Sequence, residues 1–355
     1  MRDFALAPEI EELRAAAERL GRSELAPNVR EAEAAGRWPA AVLSVLDGFP
    51  LGGLDLPGDV GGVEAGCFAK VVVLETLAQA DAGGLYGADR PGPAAGAVAL
   101  CPDRALAAEV AASCLDGSAQ SAFTVVDTEL GSEGVDWAPG WPDLRWVWAM
   151  EGDTLRLHEL TGPPEPIVSL AFQTSGGVRV PWSATAERGR WELSEHDALA
   201  VRGRARLWGA AIAVGVAQAA LDETVEYTME RVVFGKPVAQ HQANAFDLAH
   251  AFARVHAARL VVRDAAGSFD RGEPDAAFWA TEAWLETREA AFNATNVGIQ
   301  LLGGHGFLVD HLAEKRFREA RHLALAAGGL DAAEFDVAAR VLDVPDALLA
   351  SLEQR

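Results

Sequence analysis

Apolar positions along this chain change period twice. After Pro8, which suits a first helical turn, Ile10, Leu13, Ala17 and Leu20 recur at helical spacing. LGGLDLPGDVGGV (51–63) is a Gly/Pro loop, AKVVVLETLAQADAG (69–83) reads as a buried helix ended by Gly83, and ALAAEVAASCL (105–115) as a third helix. From about 116 to 202 the texture turns to short runs rich in Val, Thr, Trp and Phe: SAFTVVD, LRWVWAME, TLRLHEL and GVRVPW. Gly, Pro and Asp separate them, which predicts strands. Beyond Gly203 the helical period returns in three long runs, Leu207–Arg231, His241–Asp270 and Asp275–Leu302, the lengths of a bundle. The pattern therefore predicts an α+β, mostly α protein in three parts. These are an N-terminal helical domain (1–115), a reduced middle β-domain (116–202) and a C-terminal helical bundle (203–355).

Composition narrows the function classes. Half the 355 residues are apolar and the net charge is −22, so nucleic acid and anionic lipid are repelled. Any nucleotide-bearing ligand needs local arginines, and these cluster at Arg202, Arg204 and Arg206 and at Arg316, Arg318 and Arg321. Cys67, Cys101 and Cys114 are too few and scattered for a disulfide framework or a zinc site, and no histidine has metal-ligand spacing. The N-terminus lacks a signal-like apolar core and no run is long enough to span a bilayer, so the expected location is the cytoplasm. Six of the ten tryptophans, at 137, 141, 146, 148, 182 and 191, fall in the middle region, where core packing is the simpler reading.

One set of motifs carries chemistry. A pyrophosphate needs a guanidinium and close backbone donors. Arg231 offers a planar fork, and Gly303 and Gly304 let the main chain approach without a Cβ. Gln242 and Gln300 suit an adenine or ribose, and Phe234 an apolar wall. The plainer alternatives are a helix C-cap at Gly303–Gly304 and a surface ion pair at Arg231. The stretch 220–260, with QLLGGHGF (300–307) and EKRFREAR (314–321), resembles the C-terminal bundle of the acyl-CoA dehydrogenase family. GLDLPGDVGG (53–62) and VLETLAQADAG (73–83) are similar to its N-terminal domain. The likeness is closest over 203–325 and weakest over 116–202. It implies the three-part fold, ending in a four-helix bundle, and FAD as cofactor. It also implies that Arg231, Phe234, Gln242, Gln300, Gly303 and Gly304 clasp the ADP half of FAD across a subunit interface. Arg206 matches a family arginine near the acyl-CoA, a substrate-binding position that with Arg204 is expected at the mouth of the first bundle helix.

The same resemblance marks what is missing. The family abstracts a proton alpha to a thioester with a glutamate, and the matching position here is Ala327, followed by Gly328 and Gly329. In another branch the glutamate precedes the family arginine; that position is Ala205. The flavin-facing motif of the middle domain survives only as Thr128, Glu129, Gly131 and Ser132. The strand carrying Trp-x-Thr beside the flavin ring reads as deleted between Ser132 and Trp141. Three readings follow. The chain completes a catalytic partner's site in a hetero-oligomer dehydrogenating an acyl thioester. Or it is an active homo-oligomeric flavoenzyme with a non-standard base, Glu129, Asp331 and Glu334 being the nearby acids, or with a reaction needing none. Or it is a flavin-free scaffold. His305 is expected to line the acyl pocket or the interface.

Overall fold

The structure, a computed structural model, describes residues 6–126, 133–140, 143–325 and 329–342. Six helices open the chain: α1 (Pro8–Leu20), α2 (Val29–Ala35), α3 (Ala40–Asp47), α4 (Gly66–Ala88), α5 (Ala95–Leu100) and α6 (Arg104–Leu115). Pro8 starts α1 as its position predicts, and Asp103 caps α6 by accepting a bond from the Leu106 N–H at 3.0 Å. α4 does not end at Gly83. It continues to Ala88 through a kink at Asp81 (φ −157°, ψ 106°). Its glycines serve packing: a Cβ on Gly83 would lie 2.7 Å from Glu319 Oε1, and one on Gly84 would fall inside the Trp38 indole.

The middle region holds β1 (Gln120–Val125), β2 (Gly134–Ala138), β3 (Leu144–Glu151), β4 (Thr154–Leu160), β5 (Glu165–Pro166), β6 (Val178–Pro181) and β7 (Thr185–Glu192). The larger sheet has the order β1-β3-β4-β7, with β1 and β3 parallel; the smaller is β2-β6-β5. Trp146 and Trp148 are buried with Leu155 and Leu157 against α5 and α6, so these tryptophans are core. A strand does occupy the interval where one reads as deleted: β2 pairs antiparallel with β6 and carries Trp137. Its sequence, GVDWA, is too short and too acidic to signal itself. β7 is equally silent, since TAERGRWE is an edge strand whose charges pair across the sheet, as in Arg156–Glu187 at 2.9 Å.

The bundle comprises α7 (Glu195–Glu230), the hairpin β8 (Val232–Val233) and β9 (Lys236–Pro237), then α8 (Gln242–Asp270), α9 (Ala276–Leu302), α10 (Ala313–Leu323) and α11 (Gly329–Leu342). α7 begins at Glu195, ahead of the predicted Leu207, because Ser194 caps it, accepting from the Asp197 N–H at 3.1 Å. Small residues let α7 sit at the centre: Gly209 faces Trp284, and Gly215 faces the Glu75 carbonyl of α4. Among the described residues, no helix is long and apolar enough to cross a membrane.

Candidate cofactor and substrate site

α7 and α9 end at the same end of the bundle, where α8 begins. Arg231 leaves α7 with its N–H bonded to the Tyr227 carbonyl at 2.9 Å. The hairpin then turns at Phe234, which holds φ +51° with its side chain 95% exposed. A bulky residue in that conformation is strained, and its ring meets the His241 ring edge-on at 6.4 Å. His241 Nε2, 3.0 Å from the Val233 carbonyl, ties the hairpin to the start of α8, where Gln242 is exposed. Gln300 is exposed in the last turn of α9. Gly303 follows as its C-cap at φ +60°, and a Cβ on Gly303 or Gly304 would meet nothing within 4 Å. Gly303 needs its positive φ. Among the described residues nothing demands glycine at 304, whereas Gly306 has the Ile299 carbonyl 2.6 Å from where its Cβ would be. Tyr227 Oη, 2.7 Å from His305 Nδ1, joins the hairpin side of this face to the glycine turn. The structure thus brings all six predicted residues to one exposed end.

A separate cavity of about 470 Å³ lies between the middle domain and the bundle, within the range of small-ligand sites. Trp137, Leu170, Phe292, His322 and Leu325 form its apolar wall, with Arg288 and Arg321 beside them. None of the six clasp residues lines it. Trp137 Nε1 and Arg288 Nε are buried without a partner among the described residues, donors waiting for an acceptor. Arg321 stacks over Phe292 at 4.6 Å. The His322 ring meets Trp137 at 4.6 Å and Phe172 at 4.8 Å, and burial pushes its pKa down to about 4, so it is neutral at pH 7. Among the described lining residues the one carboxylate is Glu289, exposed and 3.4 Å from Arg288.

The expected base positions offer no acid. Ala205 is 2% exposed on α7, and Ala327 and Gly328 lie outside the described residues, as do Thr128, Glu129, Gly131 and Ser132. Arg204 and Arg206 are not at a mouth. Arg206 is fully buried, its Nη1 donating to Thr281 Oγ1 at 3.1 Å and pairing with the Asp336 carboxylate. Arg202 pairs with the same carboxylate at 3.3 Å and donates to the Gly152 carbonyl at 2.9 Å. Burial lowers the Arg206 pKa and Asp336 partly offsets this; Arg206 Nε and Nη2 stay unpartnered. Arg204 donates to Asp55, to its carbonyl at 2.7 Å and its carboxylate at 3.2 Å. Between α4 and α7 Lys70 donates to Asp89 at 2.8 Å and Trp208 Nε1 to the same carboxylate at 2.6 Å. The remaining cavity is about 10 Å³, room for one water. Asp331 sits in the first turn of α11, and Glu334 lies 3.7 Å from Arg288. Asp336 is the acid that sequence reading missed. Its signal was the spacing Ala333/Asp336, which puts it on the face that Ala333 buries.

A second buried cluster supports the cavity from behind. Lys315 donates to Asp81 at 2.6 Å and pairs with Glu319, whose carboxyl burial pushes up to about 7 although Lys315 opposes the shift. No group of three metal-ligating side chains occurs among the described residues.

Known proteins place this architecture. The model of the acyl-CoA dehydrogenase N-terminal domain matches residues 7–92 and that of the C-terminal domain residues 198–342. The chain belongs to the acyl-CoA dehydrogenase family, whose members are FAD-dependent enzymes acting on acyl-CoA. It is 27% identical over 361 residues to the "Probable acyl-CoA dehydrogenase FadE25" of Mycobacterium tuberculosis, covering 90% of this chain and 91% of that one. It is 26% identical to the 3-sulfinopropanoyl-CoA desulfinase of Paraburkholderia xenovorans, covering 96% and 97%. The butyryl-CoA dehydrogenase of Megasphaera elsdenii superposes with a TM-score of 0.79 at 20% identity, covering 96% of this chain and 100% of that one.

Proposed function

We propose that this chain is the base-lacking subunit of an FAD-associated hetero-oligomer that carries out α,β-dehydrogenation of an acyl thioester. One observation carries the reading: the carboxylate beside Ala205 is already paired within the chain, while the residues of the outward clasp are exposed together. Asp336 beside Ala205–Arg206 is held by two arginines and is not free to face a substrate. The seam between α4 and α7 is filled by Lys70, Asp89 and Trp208, so no acyl group enters there. Outside, a Cβ on Gly304 would meet nothing within 4 Å among the described residues, and Phe234 is strained and 95% exposed. Arg231, Phe234, Gln242, Gln300, Gly303 and Gly304 fit the ADP half of an FAD lent by a neighbour. FAD supplies the two-electron acceptor; this chain supplies charge neutralisation and shape at its far end.

A second reading keeps a specific support. The 470 Å³ cavity is lined by Trp137, Phe292 and His322 and has two donors unpartnered among the described residues, features that suit an isoalloxazine in this chain's own protomer. The desulfinase among its relatives carries a name that is not a dehydrogenation. An active homo-oligomer is then the alternative. The test is an absorption spectrum and native mass of the chain made alone and co-expressed with a base-bearing family member. A chain that, made alone, holds only the ADP half of FAD and so loses it on purification, and a yellow, active hetero-oligomer, are the expected result. A yellow homo-oligomer that turns over an acyl-CoA overturns it, and a chain colourless in both cases points to a flavin-free scaffold.

A further inference from the structure

We infer that His305 is itself a ligand-binding residue of the outward clasp, donating from Nε2 to a phosphate oxygen, and that Tyr227 fixes the nitrogen it presents. This rests on the reading of the clasp as a dinucleotide site. Tyr227 lies one helical turn before Arg231 and its carbonyl accepts the Arg231 N–H, so one residue anchors the guanidinium arm and reaches the glycine turn. In this assignment the phenol O–H donates to Nδ1 and the ring proton sits on Nε2, which has no partner among the described residues.

The surroundings leave the outer edge of the His305 ring open. His311 is the neighbouring ring, 5.7 Å away between centroids, and its Nδ1 lies 3.3 Å from Glu223 Oε1 of α7. Glu223 also accepts from the Leu312 N–H at 3.2 Å and pairs with Arg316 of α10, so that carboxylate is already matched. A pyrophosphate diester is the chemistry this arrangement takes: an acceptor of fixed negative charge beside Arg231, two open glycines and an imidazole N–H.

The probe is FAD, titrated calorimetrically into the full chain at a single pH. His305→Asn, at an exposed site, is expected to bind about tenfold more weakly than wild type, the worth of one charge-assisted bond. Tyr227→Phe should weaken binding less, and adding it to His305→Asn should cost nothing further, because Tyr227 acts through His305. A His305→Asn chain that binds FAD as tightly as wild type, or a double variant whose losses simply add, overturns the inference. Arg231→Met binding FAD as well as wild type sinks the clasp itself, and a wild-type chain that binds no FAD sinks both.

Discussion

Replacing Asp336 by alanine removes the one anion shared by Arg202 and Arg206, two guanidiniums buried against α7. Taking one partner from a buried pair costs about 3–5 kcal/mol, because the remaining charge is left desolvated. Here the cost has an outlet. Once α11 lifts, water reaches the arginines, so the loss should fall on α11 and not on the whole bundle. The other ion pairs of α11 among the described residues, Arg340–Asp275 at 2.9 Å and Arg288–Glu334 at 3.7 Å, have carboxylates at least half exposed and hold little. About 3 kcal/mol at the low end raises the opening equilibrium of α11 roughly 100-fold. Amide hydrogen exchange over residues 329–342 reads this directly, with α7 and α9 as internal references. Asp336→Asn, which keeps one acceptor oxygen but no charge, should fall between. Exchange of α11 within about threefold of wild type in the alanine variant would refute the latch. A variant that stays latched but loses acyl-CoA turnover would show that Asp336 is a base.

Other consequences are as specific. The depressed pKa of His322, about 4 against 6.5 unfolded, favours the fold fully above 6.5. That stability, up to roughly 3 kcal/mol, is lost as pH falls towards 4. Glu319 has the opposite sign: raised to about 7 from 4.5, it favours the fold below 4.5 and loses that contribution as pH rises through 7. His322→Leu should therefore flatten the acid side of a urea-denaturation profile and leave stability falling from about pH 4.5 to 7; an unchanged acid limb would count against the assignment. Gly304→Ala should leave the urea midpoint within about 0.5 kcal/mol of wild type while weakening FAD binding, since the space around it is open. Gly84→Ala should cost several kcal/mol, roughly 2–4, by driving a methyl into Trp38.

What the sequence disclosed follows from how locally each feature is encoded. The long helices of the bundle are written in their own 3.6-residue periods, and α8 and α9 begin within a residue of the predicted positions. That Arg231, Phe234, Gln242, Gln300, Gly303 and Gly304 would share one exposed end was legible because these residues flank helix ends, so no tertiary partner had to be known. β2 and β7 were silent because an edge strand is specified by its neighbours: Gly134 and Val135 make sense only beside Pro181 and Val180. Gly83 misled for the same reason. A glycine that admits Glu319 looks in sequence like one that ends a helix. The misplacement of Arg204 and Arg206 has one cause: their partners Asp55 and Asp336 stand 149 and 130 residues away, and pairing over that distance leaves no trace in spacing.

α7 contains 36 residues without a break, a rod about 54 Å long. Its first third carries the arginines that grip Asp55 and Asp336; its last turn carries Tyr227 and hands the chain to Arg231. A stiff strut of that length converts a tilt of a few degrees at one end into a displacement of several ångströms at the other. Side chains wedged at its waist, Trp284 beside Gly209 and Ala78 beside Gly215, therefore set the angle at which the hairpin is aimed. Enlarging either glycine should misdirect the tip without touching it.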